Sequence, residues 1–304
     1  MHKAGSYTQQ SSRRLRAPER GDDMGKSLER QSMDRIGKNW SKASLTREKL
    51  LGNVREFSRF IEGKYGLEKI ENLKPNMVKE YVSTLHERGV AASTKADKMT
   101  AVRVLAEAIG KRNIVERHNS EYGIERVRVN PQPVDHERLV EVRQSIAERA
   151  NQGDQIARMV RAADALRSEF GLRAKESLLS SKLEERAGGK MYLVVEGAKG
   201  GRLRELEVRT EGQLRAVQLV TETAKALGSG TGRIIPPHMS LKQAYDAQRN
   251  LWRQSGGTRS TSANMHGERH GFARERNADG ATNSEIMSEL GHGEDRSPAS
   301  YIPR

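Results

Sequence analysis

One stretch near the C-terminal end concentrates side chains that can do chemistry: His266-Gly-Glu-Arg269-His270, then Gly280, then Leu290-Gly-His292, then Tyr301. Three of the eight histidines fall in it. His266, Arg269 and His270 stand at i, i+3 and i+4, so a helix puts them on one face. Leu290-Gly291 reads as a helix end, where a turn can point the His292 ring back at that face. A metal site is one use for such a set. The pattern is not His-Glu-x-x-His, because the acid is Glu268, and Arg269 would repel a cation. Histidines that merely bond in a core are the bland alternative, which accounts for one ring but not for the convergence of Arg and His. Phosphate chemistry uses all of them. A phosphodiester under attack becomes doubly charged and is stabilised by fixed cationic donors, the planar Arg fork above all. It also needs an in-line nucleophile and a general acid for the leaving oxygen. Tyrosine can be that nucleophile where neighbouring cations favour the phenolate.

A second basic cluster lies upstream, in Phe170-Gly-Leu-Arg173-Ala-Lys-Glu176 and Gly197-Ala-Lys199-Gly-Gly-Arg202. Together these segments resemble the tyrosine recombinases, the phage integrase family. The C-terminal stretch is similar to the family's second box, His-x-x-Arg-His, glycine, Leu-Gly-His, Tyr. Its spacings are fourteen residues from His266 to Gly280, twelve on to His292 and nine more to Tyr301. The upstream stretch resembles the first box, Gly-Leu-Arg-x-x-Glu, and the Lys199 segment resembles the β-turn that carries the family's lysine.

The resemblance spans about 40 to 304 and implies roles for the matching residues. Arg173 and Arg269 would clamp the non-bridging oxygens of the scissile phosphate, with His266 donating a further hydrogen bond. His292 would position the phosphate or assist the Tyr301 proton. Lys199 would protonate the leaving 5′ oxygen, and Tyr301 would form a 3′-phosphotyrosyl link. Glu176 matches an acid that braces the pocket, and His270 would support the active-site helix. Neither metal nor nucleotide cofactor is required. The implied partners are double-stranded DNA at a specific recombination site, a homotetramer assembled on it, and accessory DNA-bending proteins. The implied setting is a bacterial or phage-borne mobile element, with the protein cytoplasmic and DNA-associated. Two other readings remain open: a relative that binds DNA without cutting it, and a type IB topoisomerase of the same chemistry.

Two features depart from the family pattern. Glu268 replaces the usual apolar residue before the box-two arginine, and could compete with the phosphate or point outward. Only Ile302-Pro-Arg304 follows Tyr301, so Tyr301 is expected to order only over a scissile phosphate or when a neighbouring subunit braces it.

Composition agrees with a polyanion partner. Lys and Arg outnumber Asp and Glu by 54 to 40, giving a net charge of +14, which points to nucleic acid. The absence of cysteine excludes disulfides, thiolate metal sites and cysteine nucleophiles. No segment approaches the ~20 apolar residues of a membrane span, and the N-terminus lacks the apolar stretch of a secretory signal. Gly228-Ser-Gly-Thr-Gly232 is followed by no Lys-Ser or Lys-Thr, so it reads as a flexible connection rather than a phosphate loop.

The elements that must carry these residues are mainly helical, with a small β-sheet. Residues 1–38 are polar and basic and read as a disordered arm. Residues 39–128 read as a helical unit, resembling the family's SAM-like core-binding domain. Leu50, Val54, Phe57 and Ile61 form one helix face, and Pro75 fits a first helical position. Ser93 or Thr94 can cap a third helix with Met99, Val102, Leu105 and Ile109 inside. Lys95, Lys98 and Arg103 lie off that face and, with Arg202 further on, are candidate DNA contacts. Asn130-Pro-Gln-Pro133 reads as a linker. Residues 129–304 form the catalytic unit, a mixed α/β domain. It should hold two amphipathic helices, strands at 191–195 and 203–208 joined by a hairpin at Lys199, and helices near 212–227, 240–254, 264–278 and 283–290.

Overall fold

The computed structural model describes residues 25–37, 44–125, 133–197, 203–230 and 232–292. Lys199, Arg202 and Tyr301 lie outside these residues. The chain divides into two compact units, Met1–Val127 and Arg128–Arg304, and each is described by itself.

The first unit is helical: α1 (Leu28–Ile36), α2 (Ser44–Tyr65), α3 (Pro75–Glu87) and α4 (Ala92–Ala108). Its core joins Val54, Phe57 and Ile61 of α2 to Val78, Tyr81 and Leu85 of α3 and to Met99, Val102 and Leu105 of α4, all buried. Helices α2, α3 and α4 contribute the apolar stripes that their periodicity predicts.

Three expectations need correction here. The arm assigned to 1–38 is not disordered throughout. Leu28 is buried, and the Gln31 amide donates to the carbonyls of Lys26 and Glu68 at 2.9 and 2.7 Å while accepting from the Ile70 N–H at 3.1 Å. A polar, low-periodicity sequence hides such a helix because much of its hold on the core is polar: besides Leu28 and the Gln31 amide, buried Ser32 meets Ser58 of α2 at 2.8 Å. The α4 cap is Ala91, without a side-chain bond, so Ser93 and Thr94 lie inside the helix. Lys95 and Lys98 are buried rather than outward. The Lys98 ammonium pairs with Glu56 of α2, and Lys95 Nζ meets His86 Nδ1 of α3 at 2.7 Å. Their long stems cover apolar surface while their heads find partners on neighbouring helices. Arg103 Nε donates to the Glu116 carbonyl at 2.9 Å.

The second unit begins with α5 (His136–Asn151) and α6 (Gln155–Phe170), each capped by an aspartate, Asp135 and Asp154. Next come α7 (Ala174–Leu179) and the strands β1 (Lys182–Arg186), β2 (Lys190–Val195) and β3 (Arg204–Glu207). Helices α8 (Glu211–Ala226), α9 (Leu241–Gln254), α10 (Met265–Ala278) and α11 (Asn283–Glu289) complete it. Helix α6 is the centre, packed on α5, α8, α9 and α10. Its Met159, Val160, Ala163, Leu166 and Phe170 are all buried, so the site-bearing α10 rests on a rigid element.

The sheet is antiparallel in the order β1-β2-β3, with Leu193 opposite Leu206 and Val195 opposite Arg204. β1 was not expected. Its sequence, Lys-Leu-Glu-Glu-Arg, carries one apolar residue and no alternation, and it pairs with β2 through its backbone.

Candidate functional site

The first box sits where α6 ends. Gly171 has φ +62°, and a Cβ there would come within 2.5 Å of the Phe272 ring and 2.9 Å of Leu290. Glycine is therefore required both for the left-handed turn and for the close approach of α10 and α11. The turn delivers Arg173 as the N-cap residue of α7. The Glu176 carboxylate accepts from the Arg173 backbone N–H at 2.9 Å and from its Nη1 at 2.6 Å. It also accepts from both terminal nitrogens of Arg204 on β3, at 3.3 and 3.0 Å. Burial alone would raise the Glu176 pKa, but the Arg204 guanidinium and the Arg173 bonds outweigh it and bring the carboxyl down to about 2. Glu176 thus orients two arginines at once.

The second box opens α10. Asn264 caps the helix, its Oδ1 accepting from the N–H groups of His266 and Gly267 at 3.0 and 3.1 Å. His266 is exposed at the mouth of the site. Arg269, one turn on, is fully buried. Its Nη1 donates to the Gly171 carbonyl at 2.6 Å and its Nη2 to the Leu290 carbonyl, and Nη2 lies 3.0 Å from His292 Nε2. The protein around His266, then the charges of Arg269 and Arg173, hold its pKa below the ordinary value. Both arginines therefore act electrostatically on one imidazole. His270 packs edge-on against His266, ring centres 5.1 Å apart, and burial followed by the charges of His266, Arg274 and Arg269 holds it at about 4.

His292 arrives through the end of α11. Phe272, Ala273, Ile286, Met287 and Leu290 pack that helix onto α10, and Arg276 grips Glu289 through two bonds of 3.0 Å. Gly291 then turns with φ +61°, and the His292 N–H bonds to the Met287 carbonyl at 2.9 Å. A side chain at 291 would overlap the Arg204 guanidinium.

The structure brings Arg173, His266, Arg269 and His292 into one constellation. Glu268 neither faces this pocket nor points outward, the two alternatives that its sequence position suggests. It is buried on the opposite side of α10, where its carboxyl accepts from Arg143 Nη2 at 2.7 Å and Arg167 Nε at 2.9 Å. Burial and the adjacent Asp164 push Glu268 up to about 8, against the pull of Arg167 and Arg143. For Asp164, the burial that would raise it is outweighed, by Arg167 first, so its pKa lies below the usual carboxylate range. Arg204 was not singled out from the sequence. The one signal for it was its place two residues before buried Leu206, on the inward face of a strand.

Beside the start of α10 lies an open groove of about 500 Å³, lined among others by Arg249, Arg253, Arg259, Thr258 and Asn264. These three arginines are exposed, and among the described residues none is paired with a carboxylate. Also among the described residues, no group of three His, Asp or Glu side chains could hold a metal ion, and no helix is long and apolar enough to cross a membrane.

Residues 134–275 match a family model described as integrase, and residues 37–112 match the phage integrase N-terminal SAM-like domain. The comparison with curated protein sequences finds no match. Among solved structures, the chain is similar to a lambda integrase tetramer bound to a Holliday junction, at 16% identity, TM-score 0.61, covering 90% of this chain and 75% of that one. It is also similar to XerH site-specific recombinase in a post-cleavage complex with palindromic difH substrate, at 17% identity, TM-score 0.58, covering 82% and 74%. A third is the Tn1549 transposon integrase with transposon right end DNA, at 16% identity, TM-score 0.54, covering 88% and 92%.

Proposed function

This chain belongs to the phage integrase family of tyrosine recombinases, and on that premise we propose that it cuts and rejoins DNA at a specific site through a covalent bond to Tyr301. The carrying observation is the buried Arg269, fixed by two backbone carbonyls and His292 and set with Arg173 around His266. An arginine held this firmly requires no reorganisation as charge develops on a phosphate.

In this reading Arg173 and Arg269 bind the non-bridging oxygens and His266 adds a donor. The Tyr301 hydroxyl attacks phosphorus, losing its proton with the help of His292, as the bond to the 5′ oxygen breaks. Lys199 gives that oxygen its proton. The bond energy is kept in the 3′-phosphotyrosine, and the 5′ hydroxyl of another strand reverses the step. DNA is the partner, taken up by a homotetramer, and its backbone follows the Arg249–Arg253–Arg259 groove.

The test uses nicked duplexes built from the DNA that flanks the protein's own gene. The wild-type chain should give an SDS-resistant adduct. Tyr301→Phe should abolish it with binding nearly unchanged. Binding without any wild-type adduct would refute the catalytic reading and leave a DNA-binding relative.

A further inference from the structure

The buried face of α10 carries an arrangement that the proposed chemistry leaves unused. Arg167 is fully buried in α6, and all its donating nitrogens are engaged. Nε donates to Glu268 at 2.9 Å and Nη2 to Asp164 at 2.9 Å. Nη1 donates to the Gln248 amide oxygen, with that amide turned so that its nitrogen donates to the Ala174 carbonyl at 3.2 Å. The guanidinium lies 5.0 Å from the Trp252 ring centre. Arg143 of α5 closes the group, bonded to Asp164 at 3.0 Å and to Glu268 at 2.7 Å. The path is continuous. Glu268 adjoins Arg269 in sequence, and Ala174 adjoins Arg173, so one buried arginine connects the backbones that carry both arginines of the site.

We propose that the Glu268–Arg167–Gln248 chain sets the spacing between Arg269 and Arg173, making Glu268, Arg167 and Gln248 positioning residues for the phosphate clamp. Buried charged networks are poor sources of stability, because desolvation offsets their attraction, and apolar groups of similar volume can replace them without loss. What they supply is direction: a planar fork with three engaged edges accepts one geometry, whereas an apolar contact tolerates sliding. Misplacement by ~1 Å can cost on the order of 100-fold in rate. An apolar residue before Arg269 would pack α10 on α6 without linking it to α7. The exchange for Glu268 adds that link.

The inference rests on the strand-cleaving reading, so its test carries a readout independent of cleavage. Three full-length variants are compared with wild type. Glu268→Leu leaves Arg143 and Arg167 short of an acceptor, and the catalytic unit's Tm should fall by on the order of 10 °C. The quadruple variant Arg143→Met, Asp164→Leu, Arg167→Met, Glu268→Leu should recover most of that Tm. Its adduct formation should stay at least tenfold below wild type, with DNA affinity within about twofold, since positioning affects the transition state. Gln248→Leu cuts only the arm to Ala174 and should slow adduct formation with little change in Tm. The quadruple variant cleaving at the wild-type rate would overturn the proposal, because the network would then be structural only. The second readout is the NMR titration of His266, held down by the surrounding protein first and then by the charges of Arg269 and Arg173. Its midpoint should shift in the quadruple variant as the arginines change their distance from the ring, and an unchanged midpoint would overturn the proposal. Failure of the wild type to form an adduct would refute strand cleavage and leave the His266 titration to decide the spacing.

Discussion

Glu176 should give the second unit a stability that disappears in acid. The carboxyl is about 1% exposed, so solvent screening takes little from its interactions. Its value near 2 against an ordinary 4.5 corresponds to ~3 kcal/mol, at about 1.4 kcal/mol per unit. The sign follows from proton binding. The unfolded chain takes up a proton near 4.5 while the folded one resists until about 2, so the contribution is complete above about pH 5.5 and is lost as pH falls from there towards 2. Urea unfolding of the full chain in a Trp40→Phe background leaves buried Trp252 to report on this unit. Wild type should exceed Glu176→Gln by ~3 kcal/mol at pH 6, and the gap should close steadily between pH 5 and pH 2. A gap that stays constant over that interval would show that Glu176 is not held by Arg173 and Arg204 as described.

Other expectations are open to direct measurement. Arg269→Ala should lower adduct formation by roughly 100-fold or more and also destabilise the unit, because the Gly171 and Leu290 carbonyls lose their donor; a stable variant with wild-type cleavage would contradict the clamp. Gly291→Ala should cost about 1–2 kcal/mol from the positive φ alone, and more from the overlap with Arg204, read as a urea midpoint shift. Replacing Arg249, Arg253 and Arg259 by Ala should reduce the slope of log affinity against log salt by about 0.9 for each phosphate no longer neutralised, read on a random-sequence duplex. Arg161 of α6 and Arg215 and Lys225 of α8 are exposed and do not line that groove, so removing their charges should leave the slope nearly unchanged. The raised Glu268 carboxyl has the opposite sign to Glu176: the folded chain keeps its proton from 4.5 up to about 8, so stability from this group falls as pH rises through that window. Glu268→Gln should flatten the decline between pH 6 and pH 8, seen in the same urea titrations.

Much of the site was legible as spacing. A helix repeats every 3.6 residues, so His266, Arg269 and His270 share a face in any structure where 264–278 is helical. Asn264, Gly171 and Gly291 announce their turns through local chemistry that needs no distant partner. Apolar periodicity likewise marked α2, α4 and α6.

Pairings between residues far apart in sequence were not legible, because side-chain type limits what a group can pair with and not which partner it meets. Lys95 and Lys98 carry the same charge as any surface lysine, and only α2 and α3 packed against α4 supply Glu56 and His86. Leu28 and Gln31 sit in a polar stretch and gain meaning from the backbone at 68–70. β1 exists because β2 offers it an edge. Arg204 entered the site by cross-strand register, which placed it with Leu206 on the inward face and within reach of Glu176. Glu268 shows the division most clearly. The sequence alone established that an acid precedes Arg269. Only the packing of α10 on α5 and α6 decided that it faces inward to Arg143 and Arg167, since a buried carboxyl must find donors and this side of the helix holds them.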